Sequence, residues 1–166
     1  MEKLNQIPAE IRWDIATRCA DKLPFAYENA IYKIAADKAE QFEQAEREIW
    51  NEFGKKQGIL AKELGCKTNN AEQVANTISA LSSAIFGPQL EGEVRAGGGD
   101  SATVITTSCP FKENSQKYSQ DPKNACRMCS EYWAGAADSL NSDYEVSFSK
   151  HMCVGDNFCE TTIGKR

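Results

Sequence analysis

Five of the seven cysteines and the only histidine of the chain lie in its last third, between Cys109 and Cys159. Thiolates are soft ligands that select zinc or iron–sulfur centres, and four sulfur ligands satisfy either kind of centre. The other two cysteines, Cys19 and Cys66, precede this segment and are expected to be structural. The uneven distribution predicts a thiolate cluster that holds an iron–sulfur cluster or zinc as cofactor.

The spacing of these cysteines predicts how they meet. Cys126 and Cys129 are three residues apart, which on a helix places both sulfurs on neighbouring parts of one face. Cys153 and Cys159 flank a Gly-Asp-Asn turn, so a hairpin would bring them together, and Cys109 ends another strand of the same sheet. We therefore predict all five as metal ligands, although a four-coordinate site leaves at least one of them spare.

The cysteines of this segment have two alternatives to metal binding. A buried free cysteine behaves as a small hydrophobe, so core packing of Cys129 and its neighbours is the alternative to metal binding. A redox or nucleophilic role without metal is a further alternative.

His151 is expected to share one side of its strand with Cys153. It is either a metal ligand or proton-transfer group, or it faces solvent. Asp156 either caps its own turn or orients a ligand. The catalytic candidates are Cys153, His151 and Asp156.

Length, composition and charge narrow the class of protein. The 166 residues, 41% hydrophobic and 26% charged, fit a single domain over residues 1–166, with a helical region at 1–87 and a cysteine-rich region at 88–166. The net charge of −5 and the lack of a Lys/Arg cluster exclude a nucleic-acid-binding face. No apolar stretch approaches the roughly 20 residues of a membrane span, and no apolar core follows residues 1–6, which excludes a signal peptide. We expect a cytoplasmic protein in a reducing compartment.

The apolar residues of the N-terminal region recur at helical spacing. Ile7, Ile11 and Ile15 form the stripe of a first helix that is expected to end by Pro24. A second, longer helix is predicted from about residue 25 to at least residue 53. The long helices could support a homodimer, although they show no heptad pattern.

Glycines and asparagines predict where the following helices bend, begin and end. Gly54 and Gly58 are expected to bend the long helix. Asn69 or Asn70 can cap a third helix, and Gly87 followed by proline ends it. The apolar residues between these signals keep the helical period, so this helix is the clearest element of the chain.

The period changes from helical to alternating after residue 88. Alternation predicts strands 90–96, 102–107, 144–150 and 158–163, with a helix at 125–140 between the second and third. The polar stretch 111–124 is expected to be a loop. The predicted fold class is α+β, with N-terminal helices packed on a mostly antiparallel four-stranded sheet in the order strand-strand-helix-strand-strand.

Several of these residues resemble known families. Cys109-Pro110, Cys126 and the closing segment 152–163 resemble the L-2-amino-thiazoline-4-carboxylic acid hydrolase-like family. The closing Cys-x5-Cys is also similar to the end of 4-vinyl-reductase-type sensor domains, in which paired cysteines near the C-terminus help to bind zinc. The resemblance covers residues 80–163. It departs from the sensor pattern at Lys150, where those domains place an acidic ligand.

The concentration of thiols predicts a first function, the hydrolase-like resemblance implies a second, and the residues leave a third. The first is a cytosolic, cysteine-ligated metal-binding protein that senses or binds a small molecule in an apolar pocket walled by the helices. The alternative is a hydrolase that opens a cyclic carbon–nitrogen bond, with a metal-bound water or a thiolate as the nucleophile and His151 or Asp156 moving protons. The third is a structural or interaction module whose thiols bind no metal.

Overall fold

The computed structural model describes residues 7–118 and 121–166. Segment 1–6, predicted not to be a signal peptide, lies outside the described residues. The helices and strands of the described ranges follow one another as α1 (Ala9–Ala20), α2 (Leu23–Ile34), α3 (Ala39–Glu63), α4 (Ala71–Phe86), β1 (Glu91–Ala96), β2 (Ala102–Ser108), α5 (Pro110–Tyr118), α6 (Lys123–Leu140), β3 (Tyr144–Lys150) and β4 (Cys159–Lys165). The predicted α+β class is confirmed.

The four strands form one antiparallel sheet in the order β1-β2-β4-β3. Both predicted hairpins are present, since β1 pairs with β2 and β3 pairs with β4. Tyr144, Val146 and Phe148 of β3 are turned toward the core, whereas the residues between them are exposed. Helices α4 and α6 lie against the sheet, and α3 packs on α6. Strands β2 and β3 therefore deliver their C-terminal ends to the space beside α6.

Helix α4 begins and ends where the sequence predicts. Asn70 is its N-cap, and the side-chain oxygen of Asn70 accepts a hydrogen bond of 2.9 Å from the backbone N–H of Gln73. Gly87 ends the helix with φ +88°, a backbone conformation that glycine adopts without strain. Val74 and Ile78 of the predicted stripe are fully buried in the core.

The crossing of α3 and α6 depends on glycines. A Cβ atom at Gly54 would collide with the carbonyl oxygen of Tyr132, and one at Gly58 would collide with the side chain of Ser139. The close approach is reciprocal, since Gly135 of α6 faces the backbone of α3 in the same way. Gly54 and Gly58 therefore do not bend α3, which runs unbroken through both; they let α6 approach it.

Two predicted elements of the chain differ from the structure. The long helix predicted from residue 25 is broken between α2 and α3 by a 3-10 turn, Ala36–Lys38. The predicted loop 111–124 contains helix α5, because Phe111 is buried against the aromatic rings of Phe25, Trp50 and Phe86. A single apolar anchor in a polar segment leaves no periodicity from which a helix could be predicted.

Two predicted stripes lie at the surface instead of in the core. Ile11 and Ile15 of α1 are 47% and 52% exposed. Strand β1 is the sheet edge, and of its residues only Val94 is partly buried. None of the helices in the described ranges is long and apolar enough to cross a bilayer.

Candidate thiol-lined site

The five cysteines of the C-terminal segment meet at one cavity between α4, α6 and the sheet. Its wall includes Cys109, Cys126, Cys129, Cys153, Cys159 and His151, together with apolar side chains such as Phe86, Trp133 and Phe148. The cavity leaves about 50 Å³ for the centres of water-sized molecules, against roughly 10–15 Å³ needed for one water. The structure brings these residues to one cavity, with the thiols half-buried and unpaired by disulfides, and their role as metal ligands stays a prediction.

Cys109 stands at the N-terminus of α5. Its sulfur accepts hydrogen bonds from the backbone N–H groups of Phe111 and Lys112, as an N-cap side chain does, and Pro110 occupies the first helical position. These donors favour the thiolate. Burial outweighs them and raises the pKa of the Cys109 thiol to about 12, so this thiol stays protonated unless a cation approaches it.

Cys126 of α6 and Cys153 form a hydrogen-bonded pair of sulfurs. The thiol of Cys126 donates to Cys153, which lowers the pKa of Cys153 to about 7 and raises the pKa of Cys126 far above its ordinary value. The hydroxyl of Ser115 and the charge of Lys112 also favour the Cys153 thiolate, whereas burial opposes it. Cys153 is therefore the thiol of the cluster that ionises near neutral pH.

Cys129 and Cys159 differ in the donors around them. Burial and the neighbouring thiols raise the pKa of Cys129 well above its usual value, and no donor among the described residues opposes the shift. Burial also raises the pKa of Cys159, but there the backbone N–H of Met152 donates to the sulfur at 3.3 Å. Backbone donors to sulfur are typical of metal-thiolate sites, so Cys159 has a support that Cys129 lacks.

His151 lies on the cavity wall and stacks on Phe148, with ring centroids 5.0 Å apart. Burial lowers its pKa, so the imidazole is neutral at pH 7 and has a nitrogen lone pair available. The carboxylate of Asp156 lies outside the cavity wall and accepts a 2.7 Å hydrogen bond from the backbone N–H of His151. Asp156 thus shapes the turn that carries His151.

Lys150 occupies the position where the sensor pattern has an acid, and its ammonium group is engaged elsewhere. Its Nζ lies 3.9 Å from a carboxylate oxygen of Glu160 and 4.2 Å from the ring centre of Phe158. Within the described ranges, no three His, Cys, Asp or Glu side chains already stand in the geometry of a metal site. Holding an ion would require the thiols, which are packed here as neutral groups, to change rotamer.

Two residues that sequence reasoning missed contribute to the site. Ser115 and Lys112 belong to α5, in the stretch predicted to be a loop, and both act on Cys153. The sequence signal that could have found them is Cys109-Pro110, because a capping residue followed by proline is typical of a helix start. With α5 recognised, residues 112 and 115 fall one turn apart on a helix that begins beside the cysteines.

Sequence comparisons place the chain in no known family. A scan against protein-family models finds no match, and a search of the curated proteins finds none either. The predicted membership of the thiazoline-carboxylate hydrolase-like family therefore stays a prediction.

Structure comparison finds relatives of the fold. The phenol-responsive sensory domain of the transcription activator PoxR, solved with phenol, has a TM-score of 0.60 at 12% identity, over 87% of this chain and 74% of its own. The SO2144 H-NOX domain from Shewanella oneidensis in the Fe(II)CO ligation state has a TM-score of 0.53 at 11% identity, over 83% and 73%. Subunit 3 of a trafficking protein particle complex from Naegleria fowleri, covalently bound to palmitic acid, has a TM-score of 0.50 at 14% identity, over 87% and 96%. At such identities the similarity establishes a shared fold.

Proposed function

We propose that this protein binds a small molecule beside a cysteine-ligated metal centre, either zinc or an iron–sulfur cluster. The observation that carries the proposal is the convergence of five thiols and a neutral imidazole on one apolar cavity. These groups come from four segments of the chain: the end of β2, helix α6, the turn after β3 and the start of β4. Their packing at one place favours a common role over independent burial.

The donors around the sulfurs select the ligand set. Cys109, Cys153 and Cys159 each have hydrogen-bond donors that stabilise a thiolate. Cys126 has no such donor in the described ranges and is included because its thiol is hydrogen-bonded to the sulfur of Cys153. These four are the proposed ligands. Cys129 lacks such a donor among the described residues and is the spare thiol.

A cation would change the protonation of the cluster. Of the five thiols only Cys153 has a lowered pKa, so the other four stay protonated in the absence of a cation. A divalent ion or a cluster replaces the protons of the other thiols, because metal ligation requires the thiolate form. The chemistry supplied by the bound centre would be ligand capture next to the metal or, for an iron–sulfur cluster, electron transfer.

The relatives of the fold support the ligand-binding half of the proposal. The PoxR domain responds to phenol, and the H-NOX domain is described in a CO-ligated iron state. In this chain the cavity walled by Phe86, Trp133 and Phe148 would receive an apolar ligand of small size.

The first experiment is metal and sulfide analysis, with an absorption spectrum, on protein purified without oxygen. A brown sample with iron and sulfide, or a colourless one with stoichiometric zinc, is the expected outcome. The matched controls are Cys19→Ser and Cys66→Ser, because both cysteines are exposed and outside the cavity. Protein that carries neither metal nor sulfide, and does not take up zinc or reconstitute a cluster, would contradict the proposal and return the thiols to a packing role.

The hydrolase alternative has one observation in its favour, the ionisable Cys153 beside His151 on the same cavity wall. A thiolate at neutral pH is competent as a nucleophile. The substrate to try is 2-aminothiazoline-4-carboxylate, whose ring would be opened with consumption of water. Turnover that Cys153→Ser abolishes in a folded protein would favour the hydrolase, whereas turnover unchanged by that substitution would remove Cys153 from the catalytic role. Asp156 is the matched second position, and Asp156→Asn distinguishes a catalytic acid from a turn cap.

The homodimer stays a prediction. Light scattering on the purified protein measures the molar mass directly, with Ile49→Ser/Ile59→Ser as the variant, because these two side chains are exposed on the long helix α3. A mass of twice 18.4 kDa that falls to the monomer value in the variant is the expected result.

A further inference from the structure

A second cavity lies between the C-terminal end of α1 and helix α5. It leaves about 310 Å³ for the centres of water-sized molecules. Cys109 is the one residue that lines both this cavity and the thiol-lined cavity, and it is the boundary between them. The remaining wall is rich in charged and amide side chains, in contrast to the apolar wall of the thiol-lined cavity.

Asp21 of this second cavity is a buried carboxylate without a partner among the described residues. The residue is 1% exposed, and both of its carboxylate oxygens are enclosed with no hydrogen bond. Its backbone is held on both sides, since its N–H donates to the carbonyl of Thr17 at 2.8 Å and its carbonyl accepts from the side-chain amide of Asn114 at 3.3 Å. The fold therefore keeps Asp21 in place while leaving its carboxyl group unsatisfied, and burial raises the pKa of this group to about 7. A donor from outside the chain would satisfy the carboxyl group and favour its ionised form.

The charges on the wall of this cavity are mixed. Arg18 is already paired with Asp14 at 2.8 Å, and Glu113 of α5 is a second carboxylate on the wall. Lys22 and Lys117 form no ion pair within the described residues, and the ammonium group of Lys117 lies 5.2 Å from the ring centre of Tyr118. A ligand that is only cationic would meet these two lysines, and a ligand that is only anionic would meet Asp21.

We propose that this second cavity is a binding site for a small zwitterion of the α-amino-acid type, with its ammonium group on Asp21 and its carboxylate on Lys22 and Lys117. Such a molecule supplies the donor that Asp21 lacks and the anion that the two lysines lack. The site goes beyond the proposed function, because neither its residues nor its ligand depend on a metal in the thiol-lined cavity.

The test is an NMR titration of the full chain with three probes of similar size: L-alanine, ethylammonium and propionate. Backbone amide shifts are followed at Asp21, Asn114 and Lys117. Saturable shifts with L-alanine, larger than those with either single-charge probe, are the expected result. Absence of saturable shifts with L-alanine would overturn the proposal, and equal affinity for ethylammonium would overturn the assignment of a zwitterion.

Two variants separate the two ends of the ligand. Asp21→Asn is expected to weaken L-alanine binding by about tenfold or more, because a charge-assisted hydrogen bond is lost. Lys117→Gln should weaken L-alanine binding and strengthen ethylammonium binding, because the lost lysine charge attracts a carboxylate and repels a cation. The control is Asp37→Asn, in the exposed 3-10 turn before α3. Equal L-alanine affinity in Asp21→Asn and in Asp37→Asn would contradict the proposed binding site, whatever the metal content of the protein.

Discussion

Helix α6 faces two groups of buried ionisable side chains, and the protein treats them differently. One is the thiol cluster, to which α6 contributes Cys126 and Cys129. The other is a carboxylate cluster, defined by Glu28 of α2 and by Glu43 and Glu46 of α3. The neighbours of each thiol in the thiol cluster are mostly other thiols. The carboxylate cluster has partners of opposite charge and amide donors.

The carboxylate cluster is supported by the chain itself. The amide of Asn124 donates to Glu28, and the hydroxyl of Tyr32 donates to Glu43 at 2.7 Å. Arg127 of α6 lies 3.2 Å from the other carboxylate oxygen of Glu43. Burial and the charge of Glu28 raise the pKa of Glu46 to about 7, although Arg127 opposes the shift.

This difference in partners indicates that the carboxylate cluster facing α6 is structural and that the thiol cluster is functional. Buried charges that find partners inside the protein hold α2, α3 and α6 together and need nothing further. The thiols are brought together with a single ionisable member and one nearby cation, Lys112, which is the environment of a site that receives something from outside. Substitutions in the thiol cluster should therefore reduce metal affinity, whereas substitutions in the carboxylate cluster should reduce stability.

The largest expected effect is on the thiol side. Cys153→Ser or Cys159→Ser removes a proposed ligand, so metal affinity should fall by more than the roughly 10–100-fold caused by loss of an outer-shell partner. Metal analysis after purification, with competition by a chelator, measures it. The folded fraction of the metal-free protein should stay close to that of Cys66→Ser. Full retention of metal in both variants would remove these cysteines from the ligand set.

On the carboxylate side, Arg127→Met should lower stability and leave the metal content unchanged. The variant leaves Glu43 and the neighbouring carboxylates without their cation. Since the two side chains are 27% and 26% exposed, we expect a loss of about 1–3 kcal/mol, below the roughly 3–5 kcal/mol of fully buried pairs. Urea unfolding followed by circular dichroism measures it. Arg95→Met is the control, because its pairing with Glu93 is exposed and should contribute little. Loss of metal in Arg127→Met would mean that the two clusters are not independent.

The pH dependence of stability tests the carboxylate cluster in a second way. The pKa of Glu46 is raised from 4.5 to about 7, so the folded state binds its proton more tightly than the unfolded state. Stability from this residue is present below pH 4.5 and is lost as the pH rises through 7. Glu46→Gln should therefore be more stable than the parent at pH 8, by about 1–2 kcal/mol after allowance for solvent screening, and equal to it at pH 4. Thermal unfolding at both values tests this against exposed Glu48→Gln; a pH-independent difference would show that folding does not raise the pKa of the Glu46 carboxyl.

The smallest expected effect is that of Cys129→Ala. With no donor to stabilise its thiolate, Cys129 contributes packing only, and its loss should cost about 1 kcal/mol. Metal content should be that of the parent protein. Loss of the metal would instead make Cys129 a ligand, and Cys126→Ser would then show whether Cys126 is the spare thiol.

The amino-acid sequence by itself determined the elements whose signals are local. The cap of Asn70, the stop at Gly87 and the alternation of Tyr144, Val146 and Phe148 each act over a few residues, and the corresponding helix and strand lie where they were predicted. The concentration of cysteines also predicted, correctly, that five thiols would share one place. Soft ligands at these spacings leave few other reasons to cluster.

Tertiary structure decided what depends on partners far along the chain. Helix α5 forms because Phe111 enters an aromatic cluster, and α2 separates from α3 where Tyr32 reaches across to Glu43. The unequal support of the five sulfurs depends in part on α5, which supplies the backbone donors of Cys109 and the Ser115 hydroxyl that favours the Cys153 thiolate. The unpartnered carboxylate of Asp21 has no sequence signal at all. Burial and hydrogen-bond direction depend on residues that are far apart in the sequence, so a local sequence pattern does not predict them.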